Sequence, residues 1–177
     1  MVRYKWYKQV GVEARIMEQF APIISHYEWE LHARYGVDAV LNIRVESVSE
    51  PYFYIVPGPT PTVNVIVPLG VTVEEVDKIV KSLLPTIADS FKRIDLAKIT
   101  REIYSRVIDI IMSRRDVIMR LREEIEPKIA GAAKELSMAL GPEIVKAIER
   151  LALPEPVRVT VADIEDLIHD IILYELI

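Results

Sequence analysis

Two hydrophobic periods divide this chain, one of strand type and one of helix type. Residues 41–46, LNIRVE, alternate strictly, with Leu41, Ile43 and Val45 on one face and Asn42, Arg44 and Glu46 on the other. That alternation predicts a half-buried strand. Tyr52, Phe53, Tyr54, Ile55 and Val56, then Val63, Val65, Ile66 and Val67, form two further apolar runs. Residues 52–56 and 62–67 are therefore also predicted strands, with PGPTP as the turn between them. Pro51, Pro57, Pro59, Pro61 and Pro68 forbid helix throughout this stretch, since each lacks an N–H and restricts the residue before it.

On either side the period is that of a helix. Ile16, Phe20, Ile23, Ile24, Tyr27 and Leu31 predict a helix from Val12 to Tyr35, kinked or split at Pro22 and stopped at Gly36. After residue 70, Thr72 and Glu75 form a capping box before an apolar stripe of Val73, Val76, Ile79, Val80, Leu83, Leu84, Ile87 and Phe91. Pro85 should kink that helix. Asp95 opens the longest predicted helix, running to about Glu126, with Ser113 and Asp116 able to cap a second segment within it. Pro127 begins another that ends at Gly141, and Pro142 starts the next, ending near Leu153. VRVTV at 157–161 reads as a short strand or linker, and Thr160 with Asp163 caps a last helix. The expected fold is mainly α: a helical bundle at 71–177, preceded at 1–70 by a helix and an extended, proline-rich β arm.

The arm is too apolar to remain in water, so something must cover it, either the chain's own helices or a neighbouring subunit. Covering by neighbouring copies makes Tyr52, Phe53, Tyr54, Ile55, Val56, Val63 and Val65 candidate subunit-interface residues.

Composition narrows the chemistry. The chain has 177 residues and no cysteine, which excludes disulfides, zinc–thiolate sites and thiol nucleophiles. Two Asn and two Gln stand against 27 acidic and 22 basic residues, a depletion that suits a hyperthermophile's protein. Neither a secretory leader nor an apolar run long enough to span a membrane is visible, giving the expectation of a soluble chain in the cytoplasm or in a virion.

Catalytic signatures are missing from the sequence: no nucleophile elbow, no phosphate-cradling glycine loop, no dinucleotide fingerprint. His26 and Glu30, and Glu28 and His32, are four apart on a helix, but the two pairs point about 200° apart and cannot converge on one ion. His169 sits beside Glu165 and Asp166 on a polar face, and a solvated acidic face explains them better than a metal does. No catalytic residue, metal or cofactor is assigned.

The net charge of −5 conceals separate blocks. Residues 1–15 hold four basic residues and one acidic, 92–122 hold nine and four, and 123–177 hold five and twelve. Basic and aromatic residues alternate in RYKWYK at 3–8, so rings could stack on bases while cations neutralise phosphates. The second basic stretch is the helix after Asp95, where Lys98–Glu102 and Glu102–Arg106 are expected to pair and neutralise part of the face. Candidate nucleic-acid contacts are Arg3, Lys5, Trp6, Lys8 and Arg15 from the first region, and Lys98, Arg101, Arg114 and Arg115 from the second.

The arrangement of a basic, aromatic N-terminal helical arm (RYKWYKQVGVEARIMEQFAPII), a connection and an antiparallel helical bundle resembles capsid proteins of filamentous viruses of hyperthermophilic archaea. That resemblance implies a structural subunit whose N-terminal arm wraps double-stranded DNA and whose bundle forms the shell. Partners would be copies of itself or a related subunit. Arg3, Lys5, Lys8 and Arg15 would then line the nucleic acid. The chain departs from that pattern in its strands at 39–67 and its acidic charge. Alternatives are a helical accessory subunit of a nucleic-acid-processing complex and a small α+β enzyme.

Overall fold

A computed structural model describes residues 12–114 and 129–173, without side chains at 12–17, 129–132 and 161–162. The protein is mainly α. Its contacts divide it into two compact units, Met1–Ile55 with Thr60–Ile94, and Val56–Pro59 with Asp95–Ile177. The helix following the strands belongs to the first of these units.

In the first unit, helix α1 (Val12–Tyr35) leads into strands β1 (Val40–Glu46), β2 (Tyr52–Val56) and β3 (Thr62–Pro68), and then helix α2 (Val73–Arg93). The sheet order is β1-β3-β2, with β1 and β3 parallel and Leu41 opposite Val63, Asn42 opposite Asn64 and Ile43 opposite Val65. As the central strand, β3 is buried on both faces from Val63 to Val67. This is the pattern of a parallel strand covered above and below. α1 packs on β1 and on α2, and α2 reaches β3.

Local chemistry sets the ends. Gly36, at φ 67°, turns the chain out of α1, and the N–H groups of Gly36 and Val37 close onto the carbonyls of His32 and Leu31 at 3.1 and 3.0 Å. Thr72 caps α2 by accepting the Glu75 N–H at 3.2 Å. Glu28 does not pair with His32 as the spacing suggested. Its carboxylate accepts the outward-facing N–H of Leu41 on edge strand β1 at 2.8 Å, satisfying a donor the sheet cannot use. His32 turns instead to Asp38. The Tyr27 hydroxyl donates to Asp77 at 3.0 Å, tying α1 to α2.

The second unit contains α3 (Leu96–Met112), α4 (Ile129–Glu149) and α5 (Val161–Ile171). Their common core takes Ile103, Tyr104, Val107 and Ile111 from α3, Leu136, Leu140, Ile144 and Ile148 from α4, and Ile164, Leu167, Ile168 and Ile171 from α5. Burying each isoleucine or leucine is worth roughly 1.5–3 kcal/mol. α5 opens on Thr160, whose backbone N–H and hydroxyl both donate to the Asp163 carboxylate, at 2.9 and 2.6 Å.

The break predicted at Gly141 and Pro142 does not occur, nor does a split of α1 at Pro22. α1 runs through Pro22, α2 through Pro85 and α4 through both Gly141 and Pro142. A helical proline frees the carbonyl four residues earlier. Here those residues are Glu18, Lys81 and Met138, all exposed, so water can take the place of the lost donor. In α4 the buried stripe repeats every four residues from Leu136 to Ile148, and its burial holds the helix continuous. Conversely, α3 stops at Met112 rather than near Glu126: the N–H groups of Ser113 and Arg114 bond back to Asp109 and Ile111 at 3.0 and 3.1 Å. Asp116, Pro127 and the Thr-free stretch between lie outside the described residues. Residues 157–160 form no strand, and the Val157 N–H instead closes a turn onto Pro154 at 2.8 Å.

The arm's expected need for cover from other copies is corrected. Tyr54 is 4% exposed, and Ile55, Val63 and Val65 are 0% exposed, within a single chain. These four already lie in the interior and are not available to a neighbour. Tyr52, Phe53 and Val56 stay half-buried. Helices of the same chain supply cover, with α1 packed on β1 and α2 on β3.

Candidate functional site

The candidate site is the outer face of α3. Asp95 starts this helix by accepting the Lys98 N–H at 3.1 Å, which fixes its first turn and hence the direction of every later side chain. With Ile103, Tyr104, Val107 and Ile111 buried, the 100° step per residue turns positions 98, 101, 102, 105 and 106 to the opposite side. Lys98, Arg101, Glu102, Ser105 and Arg106 indeed line one shallow groove of about 440 Å³, whose far side is Leu151. All five of these α3 residues are exposed.

Leu151 arrives from the turn that ends α4. Its N–H bonds the Ile148 carbonyl at 3.0 Å, and Ala152 follows at φ 50°. That left-handed residue redirects the chain and leaves Leu151 beside α3.

Three cations and one carboxylate give the groove a net positive charge. The expected Lys98–Glu102 and Glu102–Arg106 pairs are not closed, and no ion pair among the described residues engages Lys98, Arg101 or Arg106. The cations are therefore free to meet an external anion. Unpaired guanidinium groups suit phosphate because their planar donors match its oxygens two at a time.

The other candidate contacts fare differently. Arg114 lies past the end of α3 and pairs with Glu143 of α4 at 2.5 Å, so its charge is answered within the chain. Arg15 belongs to α1, and its side chain lies outside the described residues, as do Arg3, Lys5, Trp6, Lys8 and Arg115. Lys98 and Arg101 are brought together as anticipated. Arg106, Glu102 and Ser105 join them, and their spacing of four, seven and eight from Lys98 was the available signal. Leu151 had none, being 45 residues from Arg106. His26 approaches Glu30 at 3.8 Å on an exposed part of α1, remote in sequence from this face.

The chain matches no protein-family model, no curated protein and no solved structure at a meaningful level. The arrangement of the groove is thus the basis for its functional reading. No helix among the described residues is long and apolar enough to cross a membrane.

Proposed function

We propose that this chain is a structural, non-catalytic protein that binds the backbone of double-stranded DNA through α3. In this reading it is a subunit of a repetitive, capsid-like assembly, with α3, α4 and α5 as its helical bundle. One observation carries the DNA contact: Lys98, Arg101 and Arg106 share an exposed groove and have no ion-pair partner among the described residues. Releasing counterions from the duplex on contact with three such cations gives affinity that depends on salt rather than on shape.

Self-association now rests on other residues than the strands. Trp29 and Leu69 are 63% and 64% exposed, large apolar side chains for which a second copy offers cover. The burial of Tyr54, Ile55, Val63 and Val65 within one chain favours a second reading. That reading is an accessory subunit of a nucleic-acid-processing complex, using the same groove at fixed stoichiometry.

The test is duplex affinity measured across salt concentration for the full chain. The logarithm of the association constant should fall steeply with the logarithm of salt, and Lys98→Ala or Arg106→Ala should each reduce the slope by about 1. Arg114→Ala should leave the slope unchanged. Affinity independent of salt would remove DNA binding from the reading. Electron micrographs of the native protein would show filaments for the assembly and discrete particles for the accessory subunit.

A further inference from the structure

Helical geometry sorts the charges of α3 across its width. Arg101 and Arg106 are five residues apart, so at about 100° per residue they point about 140° apart around the axis. Lys98, Glu102, Ser105 and Asp109 fall in the arc between them, within about 60° of one another. All six side chains are exposed, and all but Asp109 line the groove. The outer face thus carries a guanidinium on each flank, and two carboxylates with one ammonium along its middle.

The middle is not neutralised from within the helix. On α1 and α2 the four-residue pairs Glu30–Arg34 and Asp89–Arg93 close at 3.4 and 3.5 Å. Glu102 has the same spacing to Lys98 and to Arg106, yet no ion pair among the described residues engages Glu102 or Asp109.

Charge in this order, positive on the flanks and negative between, discriminates among shapes of polyanion. A single row of phosphates laid along the middle meets two carboxylates for one lysine. Two rows, one on each side, meet an arginine each and keep both carboxylates at a distance. Duplex DNA presents two such rows, one on each wall of a groove. An α-helix with its side chains is about 10–12 Å across, which matches the major groove at about 12 Å and exceeds the minor groove at about 6 Å. The base edges on the groove floor carry no net charge, so a carboxylate is repelled less there than beside a phosphate. Lys98 lies about 60° from Arg101, and its flexible stem reaches the same wall.

We propose that α3 lies in the major groove of duplex DNA as a strut between the two strands, with Arg101 on phosphates of one strand and Arg106 on phosphates of the other. The inference rests on the DNA-binding reading above and deepens it, by making the ligand a pair of phosphate rows rather than one. It needs no choice of sequence, because phosphate contacts position a protein without specifying bases.

The test uses the full chain and two duplexes of one sequence and length, the second with uncharged methylphosphonate linkages throughout one strand. Salt slopes are measured for the parent and for Arg101→Ala combined with Arg106→Ala, and thermal melting confirms that these exposed substitutions leave the fold intact. On the fully charged duplex the double variant should lose two contacts, a slope change of about 1.8. On the half-neutral duplex it should lose one, a change of roughly 0.7 at the charge density of a single strand. Glu102→Gln should strengthen binding to single-stranded DNA more than binding to the duplex. Loss of the same number of contacts from both duplexes would overturn the strut and leave backbone binding along one strand standing. A Glu102→Gln gain as large on the duplex as on the single strand, or displacement of the chain by a minor-groove ligand, would overturn it likewise. Failure to bind any DNA would overturn both readings.

Discussion

Asn42 on β1 donates its side-chain amide to Asn64 on β3 at 3.0 Å, directly across the parallel register. They are the chain's only two asparagines, and both are buried, at 6% and 2% exposure. The pair is met only when Leu41 faces Val63 and Ile43 faces Val65, so a shift of one residue strands two amides in an apolar interior. A buried polar pair of this kind is a register device. The Asn42 Oδ1 atom has no partner, which limits how much net stability the pair contributes.

Asn64→Val alone should therefore destabilise the protein by about 1–3 kcal/mol, since it leaves the Asn42 amide buried without its acceptor. The double replacement Asn42→Val with Asn64→Val should recover most of that loss. Denaturant unfolding of the four proteins in the cycle checks it, and additivity of the two single changes would show that the amides are not coupled.

Tyr27 gives the fold a dependence on alkaline pH. Its hydroxyl is pushed up from 10.0 to about 12, chiefly by burial, then by the hydrogen bond to Asp77 and the charges of Asp77 and Glu30. A raised folded value means that the associated stability is complete below pH 10 and is lost as pH rises from 10 to about 12. At about 1.4 kcal/mol per pH unit the loss amounts to roughly 2–3 kcal/mol. Tyr27→Phe should flatten the unfolding free energy across that window, at a cost of about 1 kcal/mol at neutral pH from the lost hydrogen bond.

Two glycines should respond in opposite directions to the same change. Neither Gly36 nor Gly141 has any atom within 4 Å of where a Cβ would stand, so packing plays no part in the comparison. Gly36 is held at φ 67°, and Gly36→Ala should cost about 1–2 kcal/mol through backbone strain. Gly141 is inside α4, and Gly141→Ala should stabilise the protein by up to about 1 kcal/mol through helix propensity. Melting temperatures of the two variants decide it.

Ile55 distinguishes an interior strand from an interface strand. It is 0% exposed in one chain, so Ile55→Ala should destabilise the protein by about 2–5 kcal/mol whatever the protein concentration. A loss of stability that appears only on dilution would instead place Ile55 between copies.

Much of the local structure was legible in the residues. The limits of α1, the three strands, the caps at Thr72, Asp95 and Asp163 and the basic face of α3 all follow from spacing and from side chains that bond their own backbone. The errors share a cause. Proline in α1, α2 and α4 breaks a helix only if the freed carbonyl has nowhere to go, and whether Glu18, Lys81 and Met138 face water is not a local property. Likewise the alternation of LNIRVE placed Asn42 outward, and only the arrival of Asn64 on the neighbouring strand made its burial tolerable.

The sequence by itself determined where this chain is helical, where it is extended and which helix face carries the positive charge, because those depend on contacts a few residues apart. The tertiary structure decided that the apolar strands are covered within one molecule, that Arg114 is bound to Glu143, and that Leu151 closes the groove beside Lys98 and Arg106. Those outcomes join residues 22 to 53 positions apart, or set charges against partners on another helix. Only the packing of whole elements, which maximises apolar burial at once over all of them, brings such residues together.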